Sequence, residues 1–139
     1  MSSSHSVRPR RSCLYMPGAN PRALEKASGL PADVLLLDLE DAVAPEAKVS
    51  ARDAVGDAVA ARPYGRREVV IRINGLETGW GSADLEAAVA AGADAILAPK
   101  VGGAADIAAL DEAMTRAGAP ADMALWAMIE TPIAILNIG

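Results

Sequence analysis

Short apolar runs alternate along the chain with longer stretches in which apolar residues recur every three or four positions. The short runs predict buried strands over residues 13–16, 34–37, 68–73, 94–98 and 123–129. The longer stretches predict helices over 21–28, 47–61, 82–91 and 104–117. Within the second helix, Val49, Ala51, Val55 and Val59 are expected on the inner face. Asn20 is placed to cap the first helix with Pro21 at its first position, and Ser82 to cap the third, with Glu86 near its first turn. Gly118 stops the fourth helix, and residues 63–67 form a loop.

Strands and helices in strict alternation give βαβ units and a parallel sheet, so the fold class is α/β. Doubly wound sheets and (β/α)8 TIM barrels share this rhythm. Neither GxGxxG nor GxxxxGK[ST] occurs, which removes the usual nucleotide fingerprints. Polar residues gather instead just after each strand, as in Asp38-Leu39-Glu40-Asp41, Arg72-Ile73-Asn74-Gly75, Pro99-Lys100 and Glu130-Thr131. In a barrel those ends share one mouth, where active sites sit. Five strands cannot close a barrel of eight, so the remainder is expected from further polypeptide or from a partner. Residues 1–10 are expected as a disordered arm and 11–139 as the N-terminal part of a TIM-barrel domain.

Composition narrows the function. The net charge is −5, no basic stripe is present, and nucleic-acid binding is not expected. No apolar run approaches the roughly 20 residues of a membrane span. The single cysteine, Cys13, excludes an internal disulfide and fits a reducing cytoplasm. The start of the chain lacks the apolar core of a secretory signal. The one histidine, His5, lies in the polar arm, so histidine chemistry inside the domain is not expected.

The stretch VLLLDLEDAVAP runs four apolar residues into three carboxylates, Asp38, Glu40 and Asp41. They either cap and orient the following segment or serve a cation at the strand end. Glu130 ends an apolar strand and is the better direct ligand for a hard cation such as Mg²⁺, which takes one or two carboxylates. It would otherwise cap the next helix or pair with Arg72. Arg72 sits inside an apolar run and must be paired if buried; it is also suited to stabilising an oxyanion. A Schiff-base role for Lys100 needs a dry pocket and a depressed pKa, which nothing in the sequence indicates. Lys26 reads as a surface charge.

Five ordered motifs, RSCLYMPGANPRALEKA, DVLLLDLEDAVAPEAKVSAR, VVIRING, AILAPKVG and MIET, resemble the citrate lyase β-subunit-like family of CoA-ester lyases. That family includes malyl-CoA, β-methylmalyl-CoA and citramalyl-CoA lyases, and the resemblance covers residues 11–137. It implies a (β/α)8 barrel that binds Mg²⁺ and a CoA thioester at its mouth. It implies Glu130 as metal ligand, Arg72 on the substrate carbonyls, and Tyr15 and Lys26 as CoA contacts. Glu40 and Asp41 would act catalytically from beside the metal. A second metal carboxylate, an Asp on the strand after the fifth, and a closing segment that brings a catalytic acid are implied beyond Gly139. The implied reaction is reversible aldol or Claisen-type cleavage of a 3-hydroxyacyl-CoA to acetyl-CoA or propionyl-CoA and a 2-oxo acid, in a cytoplasmic homotrimer or hexamer.

Three other readings remain. A citryl lyase β subunit would need an acyl-carrier partner. Pyruvate-dependent class II aldolases resemble the second strand but carry a His where this chain has Asp41. A catalytically incomplete half-barrel would act as an interaction module through its open strands and helices.

Overall fold

Five strands form one parallel sheet in the computed structural model, which describes residues 7–139. They are β1 (Cys13–Pro17), β2 (Val34–Asp38), β3 (Glu68–Arg72), β4 (Ala95–Ala98) and β5 (Ala124–Ala127). Helices α1 (Pro21–Ala27), α2 (Lys48–Ala60), α3 (Gly81–Ala91) and α4 (Ala104–Arg116) connect them, and α5 (Pro132–Leu136) follows β5. Each strand pairs with its successor in sequence. A doubly wound sheet reverses its strand order at a switch point, whereas a barrel runs on in sequence. The sheet is therefore a five-strand arc of a (β/α)8 barrel, as expected.

The pleat sends alternate side chains to opposite faces. Leu35, Leu37, Val69, Ile71 and Ile96 pack with Val55, Leu85 and Leu110 from the helices. Val34, Leu36, Val70, Ala95 and Leu97 form a separate cluster with Trp126 and Met128 on the other face, the interior of a barrel. Burial on both faces explains why β2 and β4 read as unbroken apolar runs. Each fully buried aliphatic contributes roughly 1.5–3 kcal/mol. No described helix is long and apolar enough to cross a membrane.

Local chemistry sets most element ends as expected. Asn20 Oδ1 accepts from Arg22 N and Ala23 N at 3.1 and 3.2 Å, with Pro21 opening α1. Gly118 follows α4 with φ +77°, a conformation glycine adopts without a Cβ penalty. Three expectations are corrected. Val49 is exposed, because the buried stripe of α2 runs through Lys48, Ala51, Val55 and Val59 at helical spacing, and Val49 falls off it. Ser82 does not cap α3, which begins at Gly81; Thr78 Oγ1 accepts from Gly81 N at 3.2 Å and does that work from the preceding loop. Asp84, not Glu86, is the acidic residue of that first turn. The short helix α5 was not expected.

The expected disordered arm falls in part on residues 1–6, which lie outside the described residues. At its other end, Arg8 pairs with Asp94 at 3.4 Å, and Arg10 makes a two-pronged pair with the buried Glu68 at 2.7 and 2.9 Å. The Arg10 guanidinium also lies 5.1 Å from the centre of the Trp126 ring. Arg10 thereby links the start of β1 to β3 and β5.

Gly18 marks how tightly the β1–β2 seam closes. Its amide donates to Asp38 O at 2.9 Å, and a Cβ there would come within 2.5 Å of that oxygen and 2.8 Å of Val55 Cγ2. Gly18→Ala is expected to lower stability by about 1–3 kcal/mol through forced separation of packed backbone. Urea unfolding checks this; an unchanged midpoint would mean the seam has slack.

Candidate functional site

The site is assembled at the C-terminal ends of the strands. Asp38 and Arg72 are direct cross-strand partners on β2 and β3. Arg72 Nε and Nη2 donate to Asp38 Oδ1 and Oδ2 at 2.6 and 2.7 Å. Both side chains are more than nine-tenths buried. A two-pronged pair of this kind is the arrangement that makes a buried arginine tolerable. The expected neutralisation of Arg72 by the β2 carboxylates is therefore present. Asp38 also accepts from the amides of Glu40 and Ala42, both at 2.9 Å, so it fixes the turn after β2. Burial pushes the Asp38 carboxyl up, but the Arg72 hydrogen bond and the two amides outweigh it and hold it below the ordinary range.

With Nε and Nη2 committed, Arg72 Nη1 is the amino group left to the mouth. It lies 3.6 Å from Glu40 Oε2 and 3.7 Å from Met128 Sδ. The guanidinium stacks 4.9 Å over the Tyr15 ring, whose hydroxyl donates to Met128 Sδ at 3.8 Å. Tyr15 is half-exposed.

Glu40 sits beside this pair. Its Oε1 accepts from Lys100 Nζ at 2.6 Å, and its Oε2 is buried without a hydrogen-bond donor. The main chain beneath it is held from two sides. Lys48, itself buried, donates to the carbonyls of Leu39 and Glu40 at 3.1 and 3.0 Å. Asn74 Nδ2 donates to Leu39 O at 2.8 Å and to Asp84 Oδ2, and Asp84 is anchored by Arg52 Nε at 2.7 Å. The Asn of the RING stretch thus ties the end of β2 to α3.

Glu130 lies across the mouth after β5. It is exposed, and its Oε1 accepts from the Lys100 amide at 2.8 Å. It makes no ion pair with Arg72 among the described residues, which removes that structural role. Lys100 adopts φ +51°, unusual for a residue with a side chain. Its hydrogen bond to Glu40 raises its pKa, the opposite of what a Schiff-base lysine needs.

The structure therefore brings Tyr15, Glu40, Arg72 and Glu130 into one neighbourhood. Asp41 is exposed and lines, with Glu40, Lys48, Asn74 and Lys100, a polar cavity of about 160 Å³. Lys26 is exposed in the last turn of α1 and makes no bond to this group. A larger cavity of about 370 Å³, lined by Ile73, Leu76, Val101 and Leu110, includes neither Arg72 nor Glu130. Among the described residues no three acidic, His or Cys side chains converge as a ready metal cage. The donor set still fits Mg²⁺, which binds through one or two carboxylates and keeps several waters. Glu130 offers an oriented, accessible carboxylate, and Glu40 Oε2 is a buried oxygen lacking a donor. Sequence reasoning did not assign Lys48, whose buried position was legible only in its spacing from Ala51 and Val55.

The chain belongs to the HpcH/HpaI aldolase/citrate lyase family, whose model matches residues 11–139. It is 48% identical to a (3S)-malyl-CoA thioesterase of Cereibacter sphaeroides, over 96% of this chain and 45% of that protein. It is 38% identical to citrate lyase subunit beta of Escherichia coli, over 93% of this chain and 44% of that protein. The crystal structure of protein CitE from Mycobacterium tuberculosis in complex with magnesium, acetoacetate and coenzyme A superposes with a TM-score of 0.70. Identity there is 30%, covering 93% of this chain and 44% of that one. The chain spans about half the length of the curated relatives it matches.

Asp38→Asn is expected to destabilise the fold by about 3–5 kcal/mol, because it removes the two-pronged counter-charge of buried Arg72 and leaves only the longer contact to Glu40. The Asp38 carboxyl is held below its ordinary value. The stability it supplies is complete above about pH 4 and is lost as pH falls through the folded-state value. Urea titrations at several pH values should show the gap between wild type and variant narrowing in acid. A pH-independent gap would contradict the assignment.

Proposed function

We propose that the protein is a Mg²⁺-dependent carbon–carbon lyase that cleaves, or forms by the reverse reaction, a 3-hydroxyacyl-CoA thioester. The products are acetyl-CoA or propionyl-CoA and a 2-oxo acid. One observation carries the reading: Arg72 is clamped so that a single amino group remains beside Glu40 and faces a mouth that Glu130 borders. Family membership and the magnesium and coenzyme A of the CitE complex support the same chemistry.

Glu130 would hold the metal, with Glu40 and Asp41 adding negative charge around it. When bound, Mg²⁺ supplies Lewis-acid polarisation of the substrate's oxygen atoms. Breaking the bond between the α and β carbons leaves negative charge on the thioester enolate oxygen. Arg72 Nη1 donates to that oxygen, and because Asp38 and Tyr15 already hold the guanidinium, no reorganisation is required as the charge develops. Asp38 balances and orients the permanent charge of Arg72. Tyr15 and Lys26, both accessible, contact the CoA portion. Two protons are handled by groups outside residues 7–139: the one that leaves the 3-hydroxyl as it becomes the carbonyl of the 2-oxo acid, and the one delivered to the enolate carbon. The working enzyme is a homo-oligomer.

A second reading is thioester hydrolysis, favoured by the 48% identity to a (3S)-malyl-CoA thioesterase. The two differ in products. The complete protein, incubated with malyl-CoA and Mg²⁺, should release glyoxylate and acetyl-CoA without free thiol. Release of free CoA and malate without glyoxylate would replace the lyase reading with the hydrolytic one. Arg72→Lys and Glu130→Gln should each lower kcat/KM by about 10²-fold or more. Wild-type rates in either variant would exclude that residue from the site.

A further inference from the structure

Lys100 stands at the centre of the acidic mouth. Its ammonium lies 2.6 Å from Glu40 Oε1, while its main-chain amide holds Glu130 Oε1 at 2.8 Å. One residue of β4's exit loop thus touches a carboxylate from β2 and another from β5. Its left-handed φ of +51° is the kind of local strain that persists where the surroundings fix a residue for a purpose.

The two partners differ in freedom. Glu40's side chain is 8% exposed and Lys100's is 55% exposed. The carboxylate is therefore fixed, and the ammonium is on a flexible stem that can leave. Arg72 cannot replace it, because Nε and Nη2 are bound to Asp38 and Nη1 is 3.6 Å from the opposite oxygen, Oε2. That oxygen, buried and without a donor, marks Glu40 as a carboxylate with unspent capacity for a cation. Lys100 Nζ and a metal ion, or a water bound to one, cannot share the space at Glu40 Oε1.

We infer that Lys100 is a built-in competitor of the divalent cation: its ammonium and Mg²⁺ contend for Glu40, so the Lys100–Glu40 pair sets the metal affinity of the mouth. Lys100 is a positioning residue here, acting on the cation through Glu40. The inference rests on the reading of the mouth as a divalent-cation site.

Calorimetric titration of the complete protein with MgCl₂ tests it without reference to turnover. Lys100→Met should tighten Mg²⁺ binding by roughly two- to fivefold, the strength of a partly exposed ion pair. A positive charge removed anywhere near the metal would also tighten binding, so the deciding variant is the double one. In a Glu40→Gln background the Lys100→Met change should alter affinity by less than about twofold, since the contested seat is gone. An equal gain in both backgrounds, or none in either, overturns the inference. A separate reading on wild type guards against a variant that fails to fold. Acetic anhydride labelling of Lys100, followed by peptide mass spectrometry, should increase with Mg²⁺ and saturate with binding. Labelling indifferent to Mg²⁺ overturns the inference. Magnesium binding that Glu130→Gln does not weaken, or no binding by wild type, overturns the metal-site reading itself and this inference with it. Binding that depends on Glu130 but not on Lys100 overturns this inference alone.

Discussion

A buried arginine paired with a buried aspartate across two adjacent strands is the constraint on which the mouth depends. Arg72 and Asp38 sit opposite each other in the β2–β3 register and join by two short hydrogen bonds. Taking both charges out of water costs several kcal/mol per ion, which only close, fully hydrogen-bonded geometry offsets. An apolar pair of equal volume would serve stability as well. The pair instead leaves a rigid cation whose remaining amino group faces the open end of the sheet. Asp38 then uses its lone pairs again to shape the turn that presents Glu40. One carboxylate thus sets the direction of the arginine and the course of the acidic loop.

Around that pair the scaffold works outward in layers. Lys48 and Asn74 grip the carbonyls at the end of β2, Asp84 anchors Asn74, and Arg52 anchors Asp84. They connect the mouth to α2 and α3, whose apolar faces are packed on the outside of the sheet. The end of β2 and the Glu40 backbone resist displacement because moving them requires disturbing a packed helix. This is the preorganisation that electrostatic stabilisation of an enolate demands.

Much of this was legible in the residues. Unbroken apolar runs of three or four residues place β2, β3 and β4, and polar residues immediately after them locate the mouth. An arginine inside VVIRING needs a buried counter-charge, and DLED supplies it two positions before Glu40. What the sequence did not carry was three-dimensional aim. Val49 and Val55 are equally apolar, yet only one faces the core, because six positions along a helix leave two side chains about 120° apart. Lys48 looks like an ordinary surface charge until the fold buries it under Trp80, with its ammonium 5.2 Å from the ring centre. Lys100's left-handed turn has no signature in a lysine. Ser82 is a natural cap, but Thr78 lies nearer to the orphan amides once the loop folds.

The carboxylates at this mouth are proposed to hold a divalent cation within reach of Arg72. Mn²⁺ can stand in for Mg²⁺ and be located by its anomalous scattering, so the most direct measurement is a crystal of the complete protein grown with MnCl₂. An anomalous peak is expected bonded to the Glu130 carboxylate, on the side of the mouth where Glu40 and Arg72 Nη1 lie. A peak elsewhere, or a Glu130 carboxylate that binds no metal at saturating Mn²⁺, would contradict it.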